Sequence, residues 1–486
     1  QRFYLYLNMT KPGEKLILSY SDTNAKGEGI SPAYLIGSIR SLYPKLEIEN
    51  SYCYPENPEA GIDLFLEKLV QETEKEHEDI LEQADETDAM FGELYSWYLR
   101  NPEYRSRVQK LVQSAFAGKP EDIISQSVAK ALYGEVSPYS ATRLERFAAC
   151  AFAHFLQYGM KLTERVEYEF KPMDMGNVMH GALESFAEEV RKRGMKWTEL
   201  TEQERNEIAD RCLDNIVADY GNTVLKSSAR NEYMIERTRR ILRRTVWALQ
   251  KQLEQGEFQP EGFEVTFGGG RIDRVDIMED QNKVYVKVID YKTGNTSFDL
   301  VYLYHGLQLQ LMIYLDGALR VEQKKYPDKE IIPAGVFYYN IKDPMIQEKI
   351  DADVEAVSAG LMKELKMNGL AQADPELVYR MDSSLGSIPV AFNKDGSFRK
   401  NSSVADRTQF AVLGRYVRTK IEKIRSSILE GDAEVSPYEL GKKNACTYCP
   451  YMTVCGFDRR LSGYEFRRLK NFSDEELWKA FDREAE

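Results

Sequence analysis

The stretch from Ile272 to Lys292 limits the possible folds more than any other part of the chain. Apolar residues alternate through Ile272, Val275 and Ile277, stop at Glu279-Asp280-Gln281-Asn282, and resume through Val284, Val286 and Val288. Two β-branched runs separated by polar turn residues predict a hairpin over roughly residues 264–292. With the turn centred near Asp280 and Gln281, Asp273 faces the neighbourhood of Val288, and Asp290 lies one step further along the partner strand. Side chains two apart on a strand share a face, so Asp290 and Lys292 point the same way and Asp273 joins them.

Two carboxylates on one sheet face make a hard oxygen site suited to Mg²⁺ or Mn²⁺. An ion held there lowers the pKa of a bound water and offsets charge on a phosphodiester. A lysine two residues on can orient that water. Taken alone, Asp290-Tyr291-Lys292 reads better as a solvated surface hairpin whose ion pairs contribute little, since such tripeptides are common. The flanking elements turn the reading toward a metal-dependent nuclease site. Upstream, Gly176-Asn177-Val178-Met179-His180 opens a predicted helix and offers an imidazole. Downstream, Gln310 and Tyr314 stand at i and i+4 on a mostly apolar helix with Leu307, Leu311 and Leu315, so they share a face and can satisfy the lysine or a phosphate.

At 486 residues the chain has room for two or three domains. Its 43% hydrophobic and 29% charged residues are those of an ordinary globular protein. No run of about 18 apolar residues and no leader pattern is present, so a membrane span is not expected and a cytoplasmic location is. A net charge of −13 excludes indiscriminate nucleic-acid binding over the whole surface. Any contact with DNA must be a local basic track or a metal bridge. Arg237, Arg240, Arg244 and Lys251, with Arg239 and Arg243 beside them, could form such a track, but a solvated helix face paired to nearby acids is the plainer reading.

Along the chain, Phe3–Leu7 and Lys15–Tyr20 are short strand candidates, and residues 60–135 are helical and heavily charged, as in the run Glu72–Asp79. Gly134–Pro138 reads as a linker. Ser140 is a candidate N-cap for a helix whose apolar face carries Leu144, Phe147, Ala151 and Phe155; Asp174 could cap the next, with Leu183, Phe186, Ala187 and Val190 inward. Long helices follow to about 256, residues 301–325 return to helical period, and Val336–Tyr339 is a further strand candidate. A helix near 404–430 precedes the cysteines, and Ser473 with Glu476 forms a capping box for a terminal helix. The chain starts at Gln1 and reads as a fragment of something longer.

Six uneven cysteines in a chain of this size point to reduced thiols or metal ligands rather than a disulfide framework. Cys446-x2-Cys449-x5-Cys455 is compact, and three thiolates leave one position of a four-thiolate site open, for which Cys150 is the natural candidate. The spacing does not choose between iron–sulfur and zinc. Cys53 and Cys212 read as ordinary buried thiols.

In order, Cys150, Gly176-x3-His180, Gly270-x-Ile272-Asp273, Asp290-Tyr291-Lys292, Gln310-x3-Tyr314 and Cys446-x2-Cys449-x5-Cys455 resemble the RecB-type nuclease domain with an iron–sulfur staple, as in AddB-type subunits of bacterial AddAB helicase–nucleases. The resemblance covers residues 136–470. It implies an α/β fold: a PD-(D/E)xK-type core with a mixed sheet flanked by helices. It implies that His180, Asp273, Asp290 and the carbonyl of Tyr291 bind a divalent metal, that Lys292 assists catalysis, and that Gln310 and Tyr314 line the site. It implies a [4Fe–4S] cluster on Cys150, Cys446, Cys449 and Cys455, DNA as substrate, and an AddA-type partner supplying the motor. Residues 1–50 resemble the end of a superfamily 1 helicase-like region, with Lys11-Pro12 where active relatives carry an arginine motif and no phosphate loop anywhere, so no ATPase motor is expected. Residues 51–135 then form a charged helical segment and 471–486 a terminal helix. Ala151 stands where relatives usually have proline. The expected function is exonucleolytic processing of double-strand DNA ends for recombinational repair. The competing expectations are a DNA-binding scaffold with a vestigial pocket and a free-standing nuclease of the CRISPR-adaptation kind.

Overall fold

The computed structural model describes residues 2–21, 30–46, 48, 58, 61–62, 65–66, 69, 86–115, 123–134, 136–137, 140–165, 172–219, 228–268, 270–346, 353–459 and 463–485. They form two compact units, Gln1–Phe116 and Ala117–Glu486. The described elements of the first are the helices Arg2–Thr10, Tyr34–Leu42, Glu86–Arg100 and Pro102–Ala115. Its small core gathers Ile62, Phe65, Leu69, Tyr98 and Val108, with Phe65 stacked on Phe91 at 4.9 Å.

The two strands expected in this unit are absent. Phe3–Leu7 lies within the Arg2–Thr10 helix, where the Thr10 hydroxyl donates back to the Tyr6 carbonyl at 2.9 Å, and residues 15–20 form no strand. A short apolar run reads alike as helix or strand. A lone strand leaves its backbone unpaired, whereas a helix satisfies it internally. The charge run Glu72–Asp79 and Cys53 lie outside the described residues.

The second unit is built on a six-stranded sheet in chain order: β1 (Gln259–Phe267), β2 (Gly270–Asp280), β3 (Lys283–Lys292), β4 (Glu330–Asn340), β5 (Asn368–Gln372) and β6 (Val404–Ala405). The pairs β1–β2, β2–β3 and β4–β5 are antiparallel, β3–β4 and β5–β6 parallel, so the sheet is mixed as expected. The hairpin carries a third strand, β1, that its alternation did not announce. Its turn lies at Gln281-Asn282, one residue later than the sequence placed it, with Gln281 left-handed at φ 46° and Asp280 paired to Lys283.

Helices cover both faces. One face buries Val275, Ile277, Val284, Val286 and Val288 against the helices Gln310–Lys325 and Arg407–Glu430. The latter starts with a capping box between Asp406 and Gln409, buries Phe410, Leu413, Val417, Ile421, Ile424 and Ile428 at helical spacing, and stops at Gly431. At φ 95° and with Ile124 O where a Cβ would stand, only glycine fits there. The other face buries Met278, Ile289, Tyr291, Phe337 and Tyr339 against Pro172–Lys192, Glu202–Asp219 and Ala229–Glu254. Leu183, Phe186, Ala187 and Val190 point inward as read from the sequence, though this helix begins at Pro172 rather than at an Asp174 cap. Cys212 is buried.

The expected linker and terminal helix are integral to this unit. Val136 is fully buried and its carbonyl accepts from Arg425 at 2.7 Å, while Leu477 and Phe481 of the Asp474–Ala485 helix join the first core. Among the described residues no helix is long and apolar enough to cross a membrane.

Candidate active site

Register places the acids. Arg274 on β2 pairs with Ile289 on β3, so the next residues out, Asp273 and Asp290, stand opposite one another where the ladder ends. An unbroken alternation would turn Ile272 to the face of Arg274, yet Ile272 packs with Val275 and Ile277. The step out of alternation falls at Asp273 and is matched on β1 by Glu264. Glu264 lies between the pairs Phe263–Arg274 and Val265–Ile272 and is left-handed at φ 48°. For a residue with a Cβ this conformation is strained, and such outliers gather at functional sites.

Asp273 Oδ2 accepts the Tyr291 backbone N–H at 2.8 Å. The N–H and carbonyl of one strand residue point to the same side, so the Tyr291 carbonyl also faces this edge. His180, a little over two turns into the Pro172–Lys192 helix, brings Nδ1 to 3.4 Å from Asp273 Oδ2 and 3.8 Å from Glu264 Oε1. His180, Glu264 and Asp273 each offer a ligand atom within 4.8 Å of the others. Asp290, nearly fully buried, stands outside that group because Lys292 Nζ holds its Oδ2 at 2.6 Å. The same ammonium donates to Gln310 Oε1 at 2.8 Å, and Gln310 Nε2 donates to the Tyr314 hydroxyl at 2.8 Å. All six predicted side chains therefore converge.

The acids of the site keep cations close, Arg271 on Glu264 and Lys292 on Asp290, yet burial still governs the carboxyls of Asp273 and Asp290. Burial, reinforced by the Asp290 charge, pushes the Asp273 carboxyl up to about 7. Burial also raises Asp290, against the pull of Lys292. Burial opposes charge on His180, but Glu264 and Asp273 outweigh it and hold its pKa above the ordinary value. Neighbouring carboxylates at a hydrogen-bond-poor edge suit a hard divalent cation, and an imidazole is compatible with it. The residues fit such an ion.

Glu264 was missed in the sequence. Its signal is an acid between Phe263 and Val265, just ahead of Gly268-Gly269-Gly270. Glu145 was missed too. Its Oε1 accepts the backbone N–H groups of Leu309 and Gln310 at 2.7 and 3.0 Å.

Elsewhere in the unit, Cys150, Cys446, Cys449 and Cys455 line one cavity with Phe152, Tyr451 and Phe457. Cys150 does not lie within the helix that begins after Ser140. It is the extended break, φ −166° and ψ 119°, between Ala141–Ala149 and Ala151–His154, and the Ser140 side chain makes no cap bond. Ala151 is therefore a first helical position, one that proline also suits. Burial raises the thiols of Cys150 and Cys446, the latter up to about 12. Among the described residues no three thiols approach within 4.8 Å of one another. A single tetrahedral zinc would hold them roughly 3.8 Å apart, given Zn–S bonds near 2.3 Å. Four thiols lining one cavity are soft donors of the kind a metal centre takes.

Most of the arginine face resolves into ion pairs, while Arg244 lies 5.4 Å from the centre of the Trp247 ring. Arg239 reaches Asp214 at 2.7 Å, Arg240 reaches Asp343 at 2.6 Å, Arg243 pairs with Asp210, and Lys251 reaches Glu254 at 2.7 Å.

Residues 138–456 match the family described as the PD-(D/E)XK nuclease superfamily. The whole chain is 40% identical to a protein of Lachnoclostridium phytofermentans named as a subunit of an ATP-dependent helicase/deoxyribonuclease, covering 43% of that protein. Proteins of the same name from Clostridium acetobutylicum and a Thermoanaerobacter species are 32% and 30% identical over the whole chain, each covered to 44%. The chain thus spans less than half the length of these relatives.

Proposed function

Since the chain belongs to the PD-(D/E)XK nuclease superfamily, we propose that it hydrolyses DNA phosphodiesters with Mg²⁺ or Mn²⁺, as the exonuclease part of an AddB-type subunit that processes double-strand DNA ends for recombinational repair. The names of its relatives support the subunit reading, with an AddA-type helicase–nuclease as partner and motor. A chromosomal substrate in a bacterium implies the cytoplasm.

His180, Asp273, Asp290 and the Tyr291 carbonyl hold the divalent ion in this reading, with Glu264 beside them. The bound ion supplies an acidified water and charge neutralisation at the phosphate. Lys292 orients that water and meets the negative charge developing on the phosphoryl oxygens. Gln310 fixes the ammonium by accepting one of its hydrogen bonds, and Tyr314 in turn holds the Gln310 amide. Cys150, Cys446, Cys449 and Cys455 hold a [4Fe–4S] cluster that ties the two ends of the domain together, which iron and zinc analysis of anaerobically purified protein tests: zinc in place of iron overturns it. The scaffold reading fits poorly with a lysine held between Asp290 and Gln310 beside His180 and Asp273.

The observation that carries the nuclease reading is the Lys292 ammonium, gripped at 2.6 Å by Asp290 and 2.8 Å by Gln310 beside three further metal-binding side chains. Asp290→Ala in the assembled complex should lower Mg²⁺-dependent cleavage by this chain about 10³-fold or more while unwinding continues. Unchanged strand degradation overturns the assignment.

A further inference from the structure

The Gln310–Lys325 helix lacks a cap of its own. Leu309, at its N-cap position, makes no side-chain cap bond, and Gly306, left-handed at φ 77°, separates the helix from the preceding turn Leu300–Tyr304. The first N–H groups of a helix need an acceptor. Here the acceptor comes from 164 residues away: one oxygen of Glu145 takes both Leu309 N–H and Gln310 N–H. That carboxyl is half-buried beside the site, and burial pushes it up to about 7 against the pull of these two donors and of Lys292.

Position matters because Gln310 is the first residue of the helix and the direct partner of Lys292. From Glu145 the contacts run without a gap to the Gln310 backbone, from the Gln310 side chain to Lys292 Nζ, and from Lys292 to Asp290 Oδ2. Glu145 is itself fixed. Its helix, Ala141–Ala149, buries Leu144, Phe147 and Ala148, and ends on Cys150, whose neighbour Phe152 donates its N–H to Glu434 O at 3.0 Å.

Resting on the nuclease reading above, we infer that Glu145 is a positioning residue for the reaction: by capping the Gln310–Lys325 helix it sets where Gln310 holds the Lys292 ammonium, and it joins the segment leading to Cys150 to the reacting end of the sheet. The work is done by an acceptor oxygen at a fixed place. An amide oxygen can therefore do it, and a carboxylate one methylene shorter cannot.

The test measures kcat and KM of Mg²⁺-dependent DNA cleavage by the full chain carrying Glu145→Ala, Glu145→Asp, Glu145→Gln, Gln310→Ala, and Glu145→Ala combined with Gln310→Ala. A displacement of the ammonium by about 1 Å should lower kcat about 10- to 100-fold in Glu145→Ala, with KM for DNA within about threefold of wild type. Glu145→Gln should restore most of kcat. The double variant should be no slower than the slower single one, because both act through one chain of contacts. Glu145→Asp, which keeps the charge and disturbs packing least, should lose about tenfold in kcat and covers the case in which the alanine variant does not fold. Wild-type kcat in both Glu145→Asp and Glu145→Ala, a loss confined to KM, or additive losses in the double variant overturn the role of Glu145. Absence of metal-dependent cleavage by the wild-type protein overturns the nuclease reading itself, and this inference with it.

Discussion

Neighbouring residues on β2 and β3 carry two opposite electrostatic arrangements. On one face Arg274 grips Asp276 through two bonds at 2.6 and 2.9 Å, and Lys287 reaches the same carboxylate at 2.9 Å. The rings of Trp197 and Phe263 lie 5.7 Å from the guanidinium, and Phe258 lies 5.1 Å from the ammonium. Burial works against the charge on Asp276, yet Arg274 and Lys287 hold its carboxyl below the usual range. At the other face and its edge, Glu264, Asp273 and Asp290 meet Arg271, His180 and Lys292, yet burial leaves Asp273 and Asp290 above that range. The first group is complete as folded. A sheet can thus bury charge on both sides, holding a carboxylate ionised on one while burial opposes the charge on the other.

That contrast can be broken in decreasing steps. The largest is the Asp290→Ala substitution, whose loss of cleavage should come with a metal-free melting temperature at or above that of wild type, since it relieves like-charge repulsion. A large fall in stability would mean that the acids support the fold. Next, Arg274→Met should destabilise by about 3–5 kcal/mol in denaturant titrations, because it strands buried charge, with cleavage per folded molecule little changed. A wild-type denaturation midpoint would show that the paired face is not structural.

The smallest step concerns pH. The Asp273 carboxyl, about 7 when folded against an ordinary 3.8, binds its proton more tightly in the folded protein. Its contribution is therefore fully present below about pH 4 and is lost as pH rises through about 7, at no more than about 1.4 kcal/mol per pH unit. Denaturation in chelator across that window should show this decline in wild type and a flatter dependence in Asp273→Asn. Parallel curves for the two proteins would contradict the account.

Much of the reacting edge was legible because strand alternation and helical spacing are short-range rules. Asp290 and Lys292 follow from a period of two, and Gln310 with Tyr314 from i and i+4, while Asp273 stands where the alternation of β2 breaks. What escaped depends on other things. Glu264 works through a backbone twist that no side-chain pattern records, and it displaces the alternation of β2 at Ile272. Glu145 binds backbone amides, which every residue but proline has, so no sequence motif marks its target. Cys150 was named as a ligand candidate but placed inside a helix, because Ala151 reads as helix-forming where a proline would have announced the break. Phe3–Leu7 failed for a different reason: short apolar runs carry no usable period, and the choice falls to whatever neighbour can pair with the backbone.

The left-handed turn of Glu264 has a consequence for how this protein can vary. Holding such a residue there costs about 1–3 kcal/mol, and the exchange that would relieve it, to glycine, deletes the carboxylate facing His180. Robustness to heat and turnover on DNA therefore pull against each other at this position. A lineage adapting to hotter surroundings would have to find its extra stability elsewhere in the sheet.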